Sequence, residues 1–304
     1  MCSARNAGAW INEFVASLVA QSHTDWELWV RNDGSTDDTA ARLEQWRQRE
    51  PRVVHIIHGD RAIGIAQGFG DVLKRLPADA QVVATGDADD VWLPHRLASS
   101  LSTLERAERD APGPVLVHSD LCVVDDQLYE KAPSYWRAEG IDPDLSSLSA
   151  LAIQNVAVNP TLLFNGALLA EVRDVPQEAV FLDWWLALVA ASTGRIVADR
   201  TPTVLYRQHA GNAVGARRGS TLTRLPGALT RRPIVRQDLD RISLQARALL
   251  AKYRDRLRHE DCRALEGLAS IAELHGWRRK TAIARWRWFP VHGVLRNLGI
   301  LVRG

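Results

Sequence analysis

Between residues 26 and 118, short apolar runs rich in β-branched residues alternate with longer stretches of helical spacing. This alternation limits the possible folds more than any other feature of the chain. "WELWVRN" (26–32), "VVHII" (53–57), "QVVAT" (81–85) and "VLVH" (115–118) read as strands. Residues 35–49, 64–75 and 94–108 read as helices, the first capped by Ser35 or Thr36 and the third carrying Pro94 in its first turn. A further helix is expected at 9–21. Strands separated each time by one helix pair in parallel through right-handed crossovers, which predicts an α/β fold. Such a sheet is covered on both faces, and a chain of 304 residues that is 46% apolar can supply that cover.

In an open sheet of this kind, ligands bind beyond the carboxyl ends of the strands. Two acidic clusters fall there, "NDGSTD" (32–37) and "GDADD" (86–90). Asp87, Asp89 and Asp90 repel one another unless a cation neutralises them, so the two strand ends are expected to form one site around a divalent ion. A helix cap would need only one of the three acids. Other chemistries lack their residues: there is no P-loop, no dinucleotide glycine fingerprint and no G-x-S-x-G. His118, Ser119 and Asp120 are consecutive in a strand, where side chains alternate between faces, so they cannot form a hydrolytic relay.

The three cysteines, at 2, 122 and 262, have no metal-binding spacing and make no even disulfide set, which fits a reducing compartment. No apolar run reaches the roughly 18 residues that cross a bilayer, and no signal peptide is expected before the first helix. Charge divides the chain. Residues 1–215 carry 18 Lys and Arg against 29 Asp and Glu, whereas residues 216–304 carry 20 against 7. "GARRGS" and a stretch with Pro and Gly mark a linker, and helical segments are expected at 236–259 and 261–275. Beyond these, Trp277, Trp286 and Trp288 and seven basic residues flank an apolar stripe that includes Leu295, Leu298 and Leu301. Such a tail fits a helix lying in the interface of an anionic membrane surface. The acidic body argues against a nucleic-acid partner.

"NDGSTDDT", "GDADDVWLPHRL", "HSDL", "LDWWLAL" and "YRQH" stand in the order seen in family 2 glycosyltransferases of the GT-A fold. The chain resembles bacterial enzymes of that family that build lipopolysaccharide O-antigen or other surface polysaccharide, such as rhamnosyl- or galactosyltransferases. The resemblance covers residues 3–215 and implies a GT-A domain over 1–215, a Rossmann-like, mostly parallel nucleotide-diphospho-sugar transferase sheet. Residues 216–304 remain as a basic helical C-terminal region. It further implies that Asp89 binds Mg2+ or Mn2+, that Asp87 touches ribose or metal, and that His209 lies near the metal or diphosphate. Asp33 would contact the nucleotide base or ribose, Ser3 to Asn6 would line the base pocket, Arg61 would reach the diphosphate, and Arg207 would touch phosphate or acceptor. Asp183 would be the base that deprotonates the acceptor, with Trp184 and Trp185 stacking on acceptor sugar.

The activity implied is a metal-dependent, inverting transfer from a nucleoside-diphosphate sugar to a lipid-linked or polysaccharide acceptor. It would take place in the cytoplasm, at the inner face of the cell membrane. The sequence departs from the family pattern twice. Asn32 stands where the family usually has Asp, and the opening "MCSARN" reads as the loop after a first central strand that is itself missing. That gap keeps open a non-catalytic nucleotide- or glycan-binding relic. A nucleotidyltransferase is the other alternative, though the glycine- and lysine-bearing phosphate loop it needs is not seen.

Overall fold

The computed structural model describes residues 1–209 and 232–274, together with 277, 278 and 281. Nine strands and ten α-helices are found among them. β1 (Cys2–Ala4), β2 (Leu28–Asp33) and β3 (Val53–Gly59) form a parallel group in the order β1-β2-β3, with α1 (Ile11–Val19) and α2 (Thr39–Arg49) as crossovers. α3 (Ile65–Arg75) then leads to β4 (Val82–Ala84). A Cys2–Gly86 bridge and the bond from Gly86 N to Met1 O (3.0 Å) attach β1 beside the end of β4.

The opening therefore differs from the expectation of a missing first strand. Cys2 pairs with Val30 and Ala4 with Asn32, so "CSA" itself occupies the central position. Three residues are too few to show a strand pattern in the sequence, but Cys2 and Ala4 are small, apolar and wholly buried between the neighbouring strands.

β5 (Val91–Trp92), α4 (Arg96–Asp110), β6 (Val115–Val124), β7 (Glu130–Ala132), α5 (Tyr135–Glu139), α6 (Leu148–Leu151), β8 (Leu163–Asn165), α7 (Gly166–Val172), α8 (Leu182–Thr193) and β9 (Arg195–Arg207) complete the body. Here the order is β4-β8-β6-β9-β5, and only β6–β9 is parallel; β4–β8, β6–β8, β5–β9 and β6–β7 are antiparallel. Every residue of β6 is buried. Ser119 and Asp120 are satisfied inside the fold: Ser119 shares a hydrogen bond with Thr203, and Asp120 accepts from Ser134 Oγ and from Tyr135 N and Trp136 N, which starts α5.

Apolar layers cover both faces. α1, α2 and α4 pack on one side through Phe14, Leu43 and Leu104; α3, α7 and α8 pack on the other through Phe69, Leu168 and Trp185. α8 buries residues all round, as a helix in the middle of a core must. α9 (Arg232–Tyr253) and α10 (His259–Ser270) extend this second layer, with Leu249, Tyr253 and Leu265 in the same core.

Candidate active site

Carboxylates gather where β4, β6 and β9 end. After β4 the chain passes between α1 and β5 at Gly86, where a Cβ would stand 2.8 Å from the Phe14 ring and 2.9 Å from that of Trp92. The next turn presents Asp87, Asp89 and Asp90. Asp87 accepts from Asn159 Nδ2 (2.6 Å). Asp89 faces His209, with Nε2 3.1 Å from its Oδ2 and both side chains partly exposed. Asp90 is buried and accepts from Arg207 N at 2.9 Å, so it joins β9 to the turn and does not cap a helix. Asp183 stands in the first turn of α8; its Oδ2 accepts from Asn159 N (3.1 Å) and its Oδ1 from Trp184 N (2.7 Å). One residue, Asn159, thus touches Asp87 with its side chain and Asp183 with its backbone.

Burial sets the electrostatics. It pushes the Asp183 carboxyl up to about 6, against backbone hydrogen bonds that favour the charged form. Burial, and then the charge of Asp89, push Asp87 well above the carboxylate range, and the same two causes act on Asp90.

The nucleotide end implied by the resemblance lies at β1–β3. The loop after β1 is fastened to the "NDGSTD" turn: Asn6 N donates to Ser35 Oγ (3.0 Å), Thr36 N to Asn6 Oδ1 (2.8 Å), Ala7 N to Thr39 Oγ1 (2.8 Å) and Gly8 N to Asp37 Oδ2 (2.9 Å). A Cβ at Gly8 would lie 2.0 Å from Asp38 Oδ1 and 2.9 Å from Asp37 Oδ2, so a larger residue there would displace these carboxylates. Asn32 accepts from Ser35 N (3.2 Å), so an uncharged side chain serves the turn. Ser3 sits half-buried on β1 against Gly68, and Arg61 is exposed on the loop that crosses Gly34. Asp33 is 3% exposed and accepts from Arg31 Nε (3.0 Å), Ile63 N (3.0 Å) and Gly64 N (3.2 Å). Its carboxylate therefore holds the 63–64 backbone in place.

Three expected roles are corrected by burial. Trp185 is fully buried and Trp184 is 8% exposed with Nε1 donating to Leu151 O (2.6 Å), so both rings are core side chains and neither can stack on an acceptor sugar. Arg207 is 1% exposed; it donates to Asp89 O (2.9 Å), Asp126 O (2.5 Å) and Glu13, and lies 4.4 Å over the Trp10 ring. Its guanidinium braces the site from behind and does not point at a diphosphate. Trp10 also stacks on His209, with ring centroids 5.3 Å apart.

Sequence reasoning missed Asn159, Trp10, Glu13 and Arg96. The "NP" turn signal at 159–160 was the only cue to the first. Arg96 is fully buried and donates to main-chain oxygens of Thr85, Pro160 and Leu162.

A divalent ion fits the chemistry of Asp89 and His209, a carboxylate oxygen and an imidazole nitrogen side by side and partly exposed. Among the described residues no three Asp, Glu, His or Cys side chains converge as a cage. Mg2+ and Mn2+ sites that are completed by substrate phosphates need only one or two protein ligands.

Residues 2–152 match the model of glycosyl transferase family 2. An uncharacterized glycosyltransferase of Nostoc is 26% identical over 212 residues, which are 68% of this chain; the chain spans 63% of that relative's length. The dTDP-rhamnosyl transferase RfbG of Shigella flexneri is 24% identical over 69% of this chain and 72% of its own. Among solved structures, Staphylococcus aureus TarS 1–349 in complex with UDP-GlcNAc superposes with a TM-score of 0.57 at 15% identity, covering 99% of this chain and 77% of TarS. The mannosyltransferase PcManGT of Pyrobaculum calidifontis, in complex with GDP-Man and Mn2+, gives 0.54 at 14% identity, with 99% and 82% covered. With its mixed α/β sheet and the five motifs in order, the chain belongs to the family 2 glycosyltransferases and has their GT-A fold.

Proposed function

We propose that the protein is an inverting transferase that moves a hexosyl or deoxyhexosyl unit from a nucleoside-diphosphate sugar to a lipid-linked or polysaccharide acceptor in surface-polysaccharide synthesis. The observation that carries this reading is the convergence of Asp87, Asp89, Asp183 and His209, from three distant stretches of chain, at one edge of the sheet. Asp183 takes the proton of the acceptor hydroxyl as that oxygen attacks the anomeric carbon. The diphosphate leaves from the opposite face, which inverts the configuration. A proton affinity raised by burial suits that task, since a base near neutral pH is both ionised and strong enough to accept. Asp89 and His209 would hold Mg2+ or Mn2+, which when bound neutralises the charge left on the diphosphate. Asp87 faces the donor from the same turn, while Ser3, Asn6, Asp33 and Arg61 form or support the nucleotide end. The complexes of TarS with UDP-GlcNAc and of PcManGT with GDP-Man support a nucleotide-sugar donor, and the Mn2+ of the latter supports a divalent ion.

The relic alternative rests on a missing first strand, and the pairing of Cys2–Ala4 with β2 supports the enzyme reading over it. No described helix is long and apolar enough to cross a membrane. Residues 239–274 carry seven basic and six acidic residues, so the excess charge lies in 216–238 and 275–304, with 13 basic residues against one acid. The 277–304 stretch, apart from 277, 278 and 281, lies outside the described residues. We assign it to peripheral contact with an anionic leaflet.

The test is a panel of nucleotide sugars with Mn2+, reading release of nucleoside diphosphate. The expected result is turnover of one donor class that EDTA abolishes. Asp89→Asn should fold normally yet lose cation-dependent nucleotide binding in calorimetry. Equal nucleotide affinity with Mn2+ and with EDTA would overturn the metal site.

A further inference from the structure

Asn159 opens a single 3-10 turn, Asn159–Thr161, between α6 and β8. Its side chain and its backbone do different work: Nδ2 donates to Asp87 Oδ1 at 2.6 Å, and the amide N donates to Asp183 Oδ2 at 3.1 Å. The turn is not free to drift. Thr85 Oγ1 donates to Asn159 O, and Arg96 donates to Pro160 O through Nε (3.1 Å) and Nη2 (3.0 Å) and to Leu162 O (2.9 Å). Arg96 is fully buried, lies 4.0 Å over the Trp92 ring and reaches main-chain oxygens in place of a carboxylate. A buried charge spent in this way fixes the position of a short piece of backbone.

We propose that Asn159 is a positioning residue that holds the donor-side carboxylate Asp87 at a set distance from the base Asp183, with Arg96 anchoring the turn that carries it. The inference rests on the transferase reading, with Asp183 as base and Asp87 on the donor. It adds a residue that none of the recognised motifs contains. Asp87 Oδ1 accepts a short hydrogen bond from this neutral amide, which fixes the side chain in the turn it shares with Asp89. Removing that hydrogen bond lets the Asp87 side chain swing, and the donor substrate loses its pre-set partner. Asp183 keeps its contact, because any residue but proline at 159 still offers a backbone N–H.

The two halves of the residue therefore separate in kinetics. Asn159→Leu is nearly isosteric and removes only the amide. The donor KM should rise about tenfold, the scale of a lost hydrogen bond to a charged group. The acceptor KM, and turnover at saturating donor, should stay within about twofold. Asn159→Asp, which sets a third carboxylate against Asp87, should weaken the donor more than Asn159→Leu does, and Asn159→Gln should recover part of the loss.

A purely structural role would instead lower the active fraction, and so kcat, at unchanged donor KM. That result, or a donor KM equal to wild type in both Asn159→Leu and Asn159→Asp, would overturn the proposal while leaving the transferase reading intact. Should wild-type protein turn over no nucleotide sugar of the panel, the transferase reading falls and the proposal with it.

Discussion

In the first half of the sheet, β1, β2 and β3 pair in parallel with their neighbours along the chain, and the loops at their ends are fastened to one another by side chains from the same two motifs. In the second half, β4, β8, β6, β9 and β5 pair across long stretches of sequence and mostly antiparallel, and the carboxylates at their ends are held by residues far away. Asp87 meets Asn159, Asp89 meets His209, and Asp90 meets the backbone of Arg207. The first half is a frame in which short-range polar contacts are satisfied locally. The second buries charge in the interior, which shifts proton affinities and makes a base possible. Scaffold and chemistry share one sheet but differ in how far along the chain their contacts reach.

The largest expected effect belongs to the second half. Asp183→Asn should lower turnover by about 10² or more with saturating donor and the true acceptor, while donor and Mn2+ binding persist. Wild-type activity should rise with pH through about 6, because the base must be ionised, and the variant should lack that limb. The stability consequence has a definite sign. A carboxyl whose affinity is raised on folding binds its proton more tightly in the native state, so its contribution falls as pH rises from its usual 3.8 to about 6. Near wild-type turnover in Asp183→Asn would end the assignment and with it the functional contrast between the halves.

A smaller effect should follow from Arg96→Met. It leaves main-chain oxygens around the Asn159 turn without their buried donor, at a cost of about 1–3 kcal/mol in urea unfolding. Hydrogen exchange should show the loss concentrated at Leu163–Asn165 and near Asn159, with β2 protected as before. An equal loss in β2 would mean that the two halves are one cooperative frame and that the contrast is only topological.

The smallest effect concerns the hairpin between β6 and β7. Leu128 adopts φ 66° there, in the left-handed region that glycine favours. Leu128→Gly should raise stability by about 0.5–1 kcal/mol, the relief of that conformation less the extra freedom of glycine when unfolded. A rise confined to the β6–β7 end would sharpen the picture of local strain beside the site; a drop in stability would show that packing of the half-buried leucine outweighs it.

Much of the first half was legible in the amino-acid order. The strands at 26–32 and 53–57 and the helices at 35–49 and 64–75 overlap β2, β3, α2 and α3, because each is a local pattern of apolar spacing; the cap expected at Ser35 or Thr36 is not formed, since α2 begins at Thr39 after Asp38. β5, β7 and the antiparallel pairings were not foreseen, since a two- or three-residue strand has no period to read and is defined only by its partner. The same division runs through the site. Sequence by itself determined the acidic clusters and their place at strand ends, which rest on residue type and local periodicity. Only tertiary structure decided which groups face the cleft. Burial turned Trp184, Trp185 and Arg207 inward, and the fold brought in Asn159, Glu13 and Trp10, which no motif marks. The reason is physical: solvent exposure and proton affinity depend on what packs against a group in three dimensions, and those neighbours are set by contacts spanning tens to hundreds of residues.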